Sequence, residues 1–336
     1  MSTHATAVPP PVALLQLVTG YWVSQAIYVA AKLGIADLLK GGPKNDDELA
    51  KATGTHVRSL HRLLRALASV GVFAEAEDGR FELTPLGECL QTGIPGSVRA
   101  LTINHGERLY RPWGELLHSV RTGEPAVKHV FECLAQNPES AAIFSEAMAE
   151  LTTQVSTAVV TTYDFSRFSK IVDIGGGNGT LILSILQAHP QMRGVLFDLP
   201  YVGEDAQKHL EAASLTGRCE VVAGDFFASV PGGGDAYLLK NIIHDWDDER
   251  ALKILQNCHR AMTENGKLLL VEGIIPSGNE PSFGKLLDLN MLVMAGGCER
   301  TEAEYRALFV AAGFTLTNVV PLQSPFGFSV IEGVWV

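Results

Sequence analysis

A glycine-rich segment, Lys170-Ile-Val-Asp-Ile-Gly-Gly-Gly-Asn-Gly-Thr180, places the strongest constraint on the fold of this 336-residue chain. The apolar residues before the glycines predict a buried strand, and residues 180–187 have helical composition. Glycine lets the backbone between them turn tightly and approach a ligand with no Cβ in the way. A strand, a glycine turn and a helix in this order predict a nucleotide-type cofactor loop in an α/β sheet.

The spacing of the glycines narrows the kind of cofactor. A dinucleotide fingerprint has the pattern G-x-G-x-x-G, whereas this chain has Gly175, Gly177 and Gly179 and carries Thr180 at the third glycine position. The strand also ends in an acid, Asp173, which suits an ammonium group better than a phosphate. S-adenosylmethionine has an amino-acid tail and a sulfonium, so we expect it rather than a dinucleotide.

Two further acids follow at the ends of the next two predicted strands. Asp198 ends the segment 194–198, where doubly wound folds place a carboxylate for the ribose hydroxyls. Asp225 ends the next strand and offers a carboxylate for the adenine amino group, with the ring of Phe226 beside it. Any one of these acids alone is equally typical of a helix cap or a turn. Together with the glycine loop they favour the cofactor site.

Composition and charge exclude several classes of protein. The net charge of −11 argues against general binding to nucleic acid or to anionic membranes, both of which need clustered Lys and Arg. Five scattered cysteines show no metal-ligand spacing and are typical of reduced thiols, so we expect a cytoplasmic protein. The apolar stretch from Val12 to Ala31 is interrupted by polar residues and lacks a basic leader, which argues against secretion or a membrane span.

The first hundred residues predict a winged-helix arrangement. After the helical stretch from Val12 to Ala31, a short helix ends near Leu39; Asn45 caps a helix over residues 46–53, and a second helix covers 57–70. A hairpin around Asp78-Gly79 follows. Basic residues on the second helix raise the possibility of DNA binding, but acids surround them, so a solvated face is the stronger interpretation. Because Val12 to Leu39 is apolar on many faces, we expect it to form a homodimer interface.

The rest of the chain predicts a helical connector and then a doubly wound, mostly parallel sheet. Strands near residues 170, 194, 219, 235, 267, 314 and 328 alternate with helical stretches. We therefore divide the chain into a winged-helix dimerisation domain (1–105), a connector contributing to a substrate pocket (106–165) and a cofactor-binding catalytic domain (166–336).

His244 is the candidate catalytic base, because it follows the fourth strand, where a substrate would meet the cofactor. Imidazole accepts and returns a proton near neutral pH, although a histidine at a helix start without chemistry is the alternative. Glu272 ends a strand and Glu299 lies in a loop; either could hold one imidazole nitrogen, or be a simple surface acid. The acids at 247–249 are typical of a helix N-terminus, and we expect no metal.

At this point the chain resembles the class I S-adenosylmethionine-dependent O-methyltransferases of small aromatic molecules, a family that includes plant caffeate and flavonoid, animal acetylserotonin and bacterial tailoring enzymes. The resemblance covers nearly the whole chain. Its most specific segments are those over residues 173–180, 240–246, 272–276, 288–292 and 299–302.

The resemblance implies a role for each matching position. His244 becomes the general base, bracketed by Glu272 and Glu299. The cofactor contacts are Asp173, Gly175, Gly177, Asp198, Asp225, Phe226 and Lys240. The substrate contacts are Phe144, Met148, Asp245, Asn290, Met291 and Met294.

The expected function is thus methylation of a hydroxyl on a small aromatic metabolite. Methylation of a ring nitrogen is an alternative within the same family. A winged-helix regulator that senses S-adenosylmethionine is an alternative of another class, disfavoured by the presence of a base at His244.

Overall fold

The computed structural model describes residues 8–324 and 326–336, which form two compact units. The first unit ends at Tyr110 and the second begins at Arg111. The predicted cofactor-binding domain lies in the second unit, and so does the predicted connector except for its first five residues, 106–110, which belong to the first unit. The division into three domains stays a prediction.

The first unit is a small helical bundle with a hairpin. Its elements are α1 (Pro10–Val18), α2 (Gly20–Lys32), α3 (Ile35–Leu39), α4 (Asp46–Thr53), α5 (Val57–Ser69), β1 (Phe73–Glu75), β2 (Phe81–Leu83), α6 (Pro85–Glu88), α7 (Arg99–Asn104) and a π-helical turn, His105–Leu109. Asn45 caps α4 in a capping box with Glu48, and Gly54 ends it with a φ of +66°. The strands β1 and β2 pair antiparallel, so the predicted helix, turn, helix and hairpin are present.

The predicted first helical stretch is divided at Thr19. The Thr19 hydroxyl donates to the carbonyl of Leu15, and its backbone leaves the helical region with ψ at 2°. Pro10–Lys32 is long and apolar enough, by length and composition alone, to cross a membrane. Apolar side chains along it are exposed, among them Leu17 at 79% and Trp22 at 62%. Exposed apolar surface of this kind is typical of an interaction site.

The second unit is built around a seven-stranded sheet. The helices that precede the sheet are α8 (Tyr110–Trp113, which begins at the last residue of the first unit), α9 (Leu116–Thr122), α10 (Val130–Ala135) and α11 (Pro138–Thr162). The sheet strands are β3 (Lys170–Ile174), β4 (Arg193–Asp198), β5 (Cys219–Ala223), β6 (Ala236–Lys240), β7 (Lys267–Gly273), β8 (Phe314–Pro321) and β9 (Phe328–Trp335). The remaining helices are α12 (Thr180–Ala188), α13 (Pro200–Ala212), α14 (Asp248–Ala261), α15 (Phe283–Met294) and α16 (Glu302–Ala311).

The sheet has the strand order β5-β4-β3-β6-β7-β9-β8 and is parallel except at β9, which pairs antiparallel with β7 and β8. This confirms the predicted mostly parallel, doubly wound fold. The order reverses between β3 and β6, which are direct neighbours. Ligands of such sheets bind at the carboxyl ends of the strands beside this reversal.

Alternation along the strands explains how the sheet is covered on both faces. Ile171 packs with helices α11, α12 and α13, whereas its neighbour Val172 packs with α14 and α16. Successive side chains of a strand point to opposite faces, so a strand buried on both sides must be apolar throughout. The two apolar layers fix the carboxyl ends of β3 and β6 side by side.

Candidate functional site

The glycine loop leaves the carboxyl end of β3 in the conformation that the sequence requires. Gly175, Gly177 and Gly179 have φ values of +69°, +60° and +86°, a region that glycine adopts readily and other residues avoid. A Cβ on Gly175 would also collide with the side chain of Ile242, which follows the neighbouring strand β6. The loop therefore brings bare backbone to the reversal point of the sheet.

Asp173 is a buried acid with an unused oxygen at this loop. Its Oδ2 atom has no hydrogen-bond partner among the described residues, and the side chain is 2% exposed. Burial, and then the nearby Asp198, raise the pKa of Asp173 to about 7, an effect that Lys240 partly offsets. A buried, unpartnered carboxylate is costly, and a cationic ligand group would relieve that cost.

Asp198 ties its own strand end to the glycine loop. Its Oδ2 accepts from the Gly177 backbone N–H at 2.7 Å, and its Oδ1 accepts from the Leu199 N–H at 2.7 Å. A carboxylate has about four acceptor positions, so both oxygens can still accept from ligand hydroxyls. Asp198 therefore holds the glycine loop to the end of its own strand, with acceptor capacity to spare.

The last predicted cofactor contacts surround the same strand ends. The carboxylate of Asp225 is exposed and accepts from the Phe227 N–H at 2.8 Å. The ring of Phe226 lies 6.1 Å from that of Trp246, centroid to centroid. Lys240 donates to Oδ1 of Asn241 at 2.8 Å; burial lowers its pKa to about 8, against the opposing effect of Glu272 and Asp173.

His244 lies in a single 3-10 turn, Ile243–Asp245, just after β6. Its Nδ1 atom lies 2.7 Å from Oε1 of Glu299. Its other ring nitrogen, Nε2, lies 3.7 Å from Oδ1 of Asp245, which is beyond hydrogen-bond length. One nitrogen is thus held by a carboxylate at hydrogen-bond length, and the other has its neighbouring carboxylate beyond that length.

The two glutamates do different things. Oε1 of Glu272 accepts from the backbone N–H groups of Ile242 and Ile243, at 3.0 and 2.9 Å, while its Oε2 lies 3.7 Å from Nδ1 of His244. Glu272 therefore anchors the turn that carries the histidine and adds negative charge. Glu299 makes the hydrogen bond that orients the ring, a distinction that the sequence left open.

Electrostatics in this cluster favour the imidazolium form of His244. Burial by itself lowers the pKa of this group, but the carboxylates of Glu272, Asp245 and Glu299 outweigh it and raise the pKa to about 10. Burial raises the pKa of Glu272 above its usual range. Burial likewise raises the pKa of Asp245, to about 6. The cluster thus stabilises a proton on the histidine.

His244, Glu272 and Glu299 also offer three possible metal-ligand atoms within 4.8 Å of one another. The acids at 247–249 are not part of this group. Asp247 caps α14 by accepting from the Arg250 N–H at 2.9 Å, which confirms the helix-start interpretation for that residue.

The predicted substrate contacts lie on two helices and beside the base. Phe144 and Met148 are half-buried on α11, Asn290 is half-buried on α15, and Met291 and Met294 are buried on α15. That they face one pocket stays a prediction. Trp113, which the sequence placed only in the connector, donates from Nε1 to Oδ1 of Asn290 at 2.9 Å and so fixes that amide. No local pattern signals a contact between residues 177 positions apart.

Comparison with known proteins identifies related domains in both units. Residues 113–315 match the model of an O-methyltransferase domain, and residues 15–93 match that of an O-methyltransferase dimerisation domain. The first match includes part of the predicted connector as well as most of the predicted catalytic domain.

This chain is similar to three known proteins over nearly the full length of each. A phenazine O-methyltransferase, PhzM, of Lysobacter antibioticus is 50% identical over 98% of this chain and 98% of its own. A phenazine-1-carboxylate N-methyltransferase of Pseudomonas aeruginosa is 34% identical over 92% and 93%. The crystal structure of human N-acetylserotonin methyltransferase in complex with SAM is similar with a TM-score of 0.89 and 26% identity, over 98% and 99%.

Proposed function

Because this chain belongs to the O-methyltransferase family, we propose that it transfers the methyl group of S-adenosylmethionine to a hydroxyl oxygen of a small aromatic molecule of the phenazine or phenol type. The observation that carries the proposal is the hydrogen bond of 2.7 Å between His244 Nδ1 and Glu299 Oε1. In our proposal the other nitrogen, Nε2, meets the acceptor. A base is needed for an acceptor that must lose a proton, and a neutral hydroxyl is such an acceptor.

The residues at the strand ends fit the cofactor. In our proposal the unpartnered carboxylate of Asp173 receives the cationic amino-acid end, and Asp198 binds the ribose hydroxyls while it holds the loop at Gly177. Asp225 and Phe226 would bind the adenine, with Gly175 and Lys240 completing the contacts. When bound, S-adenosylmethionine supplies a methyl group already activated by its sulfonium.

Given an activated methyl group, the chain has two tasks. It must hold the acceptor oxygen in line, a proximity effect worth up to about 7–11 kcal/mol of barrier. It must also remove the hydroxyl proton, for which general-base assistance contributes about 10² to 10⁴ in rate. Nε2 of His244 accepts that proton, and Glu299 and Glu272 stabilise the imidazolium that results. Because these carboxylates also hold a proton on the free enzyme, His244 must first lose it to solvent, so turnover rises with pH.

Methylation of nitrogen is the second candidate, because one relative is a phenazine-1-carboxylate N-methyltransferase. A tertiary ring nitrogen has no proton to remove and gains nothing from a base. The paired histidine and glutamate therefore favour a hydroxyl acceptor. The Oδ1 atom of Asp245 lies 3.7 Å from Nε2 of His244, and in our proposal this carboxylate binds a neighbouring polar group of the substrate.

The exposed apolar surface of α1 and α2 supports a homodimer. The match to a dimerisation domain covers most of this surface, and burial against a second copy would remove its apolar side chains from water. The net charge of −11 supports neither an anionic membrane nor nucleic acid as the partner.

We also propose that the reaction needs no metal. Two ligands of a tetrahedral ion, each about 2.0–2.2 Å from it, lie roughly 3.4 Å apart. Nδ1 of His244 and Oε1 of Glu299 are 2.7 Å apart, a distance that suits a shared hydrogen rather than a shared ion.

The test is an assay of the purified enzyme with methyl-labelled S-adenosylmethionine, in buffer with and without EDTA. The acceptors are hydroxyphenazines, simple phenols, hydroxyquinones and a phenazine carboxylate that carries no hydroxyl. We expect O-methyl products, located by NMR, with equal rates in both buffers. Products methylated only on nitrogen would overturn the assignment of the acceptor. Cofactor binding without transfer to any acceptor would count against the catalytic proposal itself, and inhibition by EDTA would count against the metal-free mechanism.

A further inference from the structure

Arg300, the residue next to Glu299, is buried with 2% exposure. All five N–H groups of its guanidinium have acceptors, which is the full donor capacity of an arginine. The acceptors are the backbone carbonyls of Ile243, Trp246 and Cys298, at 3.1, 2.9 and 3.3 Å, and Oδ1 of Asp248, which is 3.0 Å from Nε and 2.8 Å from Nη2.

Two of these carbonyls bracket His244. Ile243 immediately precedes the histidine, and Trp246 follows it by two positions. From the other side, the carboxylate of Glu272 accepts from the N–H groups of Ile242 and Ile243. The turn is therefore held through its N–H groups by an anion and through its C=O groups by a cation.

The backbone of Arg300 is fixed in its turn to the sheet. Its carbonyl accepts from the Ile275 N–H at 3.0 Å, and it forms a parallel bridge with Ile274, just beyond the end of β7. Gly297 lies directly against the His244 carbonyl, where a Cβ would collide. Arg300 thus bonds the turn that carries His244 while its own backbone belongs to the loop that carries Glu299.

We propose that Arg300 is a positioning residue that sets the contact between His244 and Glu299, by clamping the histidine turn to the glutamate loop. Its catalytic consequence rests on the proposed function, in which His244 is the base. Lysine has one compact ammonium in place of the planar fork and cannot reach three carbonyls and a carboxylate together. Arg300→Lys keeps the charge but releases the clamp.

The experiment compares Arg300→Lys with Arg306→Lys, a matched control on α16, the helix that follows Arg300. Arg306 also bonds a carboxylate and a carbonyl, those of Glu302 and Leu316, but it is half-exposed and away from His244. We expect Arg300→Lys to lower kcat by about 10-fold or more, with affinity for S-adenosylhomocysteine changed by less than about threefold. In Arg300→Lys the acid limb of kcat against pH should also move to lower pH, because a weaker contact with Glu299 stabilises the imidazolium of His244 less. Arg306→Lys should match the wild type in each measurement.

A second readout needs no methyl transfer. In protein labelled with 15N-histidine, the hydrogen between Nδ1 of His244 and Glu299 should give a far-downfield proton resonance, assigned by its loss in His244→Asn. We expect this resonance to weaken or shift in Arg300→Lys and to persist in Arg306→Lys. This resonance does not depend on methyl transfer. Even if the wild type and all variants prove inactive, it still tests whether Arg300 sets the contact between His244 and Glu299, separately from the proposed function.

Asp248→Ala provides a graded variant if Arg300→Lys does not fold. The Asp248 side chain is 80% exposed, and its removal takes away two of the five bonds without opening the core. We expect a kcat about threefold lower and a smaller change in the resonance. Wild-type kcat and an unchanged resonance in either folded variant would overturn the proposal, as would a loss confined to cofactor affinity.

Discussion

Glu299 Oε1 and His244 Nδ1 are 2.7 Å apart although the residues are 55 positions apart in the chain. The contact exists because the turn after β6 and the loop before α16 meet above the carboxyl ends of the strands. It orients the imidazole through Nδ1, and in the proposed function Nε2 is the nitrogen that meets the acceptor.

Replacement of His244 by alanine removes the proposed base together with the hydrogen-bond partner of Glu299. We expect His244→Ala to bind cofactor and substrate nearly as the wild type does, with kcat lower by about 10² or more. The deficit should shrink at higher pH and with more acidic phenols, because a phenolate needs no base. Steady-state kinetics with a series of phenols measures this, and wild-type turnover of a weakly acidic phenol at neutral pH would rule out the base.

Neutralising Glu272 or Glu299 should shift the pH dependence of kcat, and the electrostatic interactions of His244 determine the direction of that shift. Each carboxylate stabilises the imidazolium and so raises the pKa of His244. Loss of one charge lowers that pKa, so the base form appears earlier and the acid limb of kcat shifts to lower pH.

The two variants should differ in maximal rate. Glu299→Gln weakens the orienting hydrogen bond, whereas Glu272→Gln keeps an oxygen that can accept from Ile242 and Ile243. We therefore expect the greater loss of rate for Glu299→Gln, and for both a smaller loss than in His244→Ala. When the wild type and both variants are measured with the same substrate, the ionisation of that substrate affects all the pH profiles equally. An acid limb that stays in place or moves to higher pH would contradict the prediction.

Asp198→Ala should weaken cofactor binding at least tenfold. Hydrogen bonds to a charged group are worth about 1.5–3 kcal/mol, and this change also frees the loop at Gly177. Calorimetry with S-adenosylhomocysteine measures the affinity. Asp205→Ala, an exposed acid on the next helix, is the control. Equal affinities in the two variants would remove Asp198 from the site.

Glu332→Gln should destabilise the fold in a pH-dependent way. Burial alone would raise the pKa of Glu332, but hydrogen bonds from Tyr163, Lys267 and Thr317 prevail and lower it to about 2. A lowered folded pKa means that stabilisation is complete above the unfolded pKa of about 4.5 and is lost as pH falls toward 2.

The expected loss in the free energy of unfolding is about 2–3 kcal/mol at pH 7, vanishing near pH 2. Urea unfolding across this range measures it. Glu302→Gln, which breaks an exposed pair with Arg306, should cost about 0.5 kcal/mol or less. A loss in Glu332→Gln that does not depend on pH would mean that packing, and not charge, is responsible.

The apolar surface of α1 and α2 predicts a dimer in solution. Light scattering should give twice the chain mass, and the double change Leu17→Asp and Trp22→Asp should give the mass of one chain, because both side chains are exposed on this surface. Val310→Asp, at a similarly exposed position on α16, should leave the dimer intact. A wild-type monomer with full activity would contradict the prediction, and co-flotation with vesicles would point to a membrane instead.

The sequence predicts the sheet well because each strand and turn is marked by residues that are adjacent in the chain. Unbroken apolar runs such as Ile171-Val172 mark strands buried on both faces, and the glycines mark the loop after β3. The meeting of His244 with Glu299 depends on how two loops approach each other, so the sequence could not say which glutamate orients the ring. The burial of Arg300 is still less visible, because arginine is normally exposed and only the surrounding carbonyls make its burial favourable.

The adjacency of β3 and β6 has a consequence for how such a chain can diversify. The glycine loop and the His244 turn leave neighbouring strands, whose spacing of about 4.8 Å is set by main-chain hydrogen bonds and not by any side chain. The proposed substrate walls belong to α11 and α15, which are not strands of that sheet. If the proposed function holds, substitutions on these helices can therefore change which acceptor is bound without altering the distance between the glycine loop and the His244 turn. Selection can therefore change the substrate walls on α11 and α15 separately from the spacing of β3 and β6.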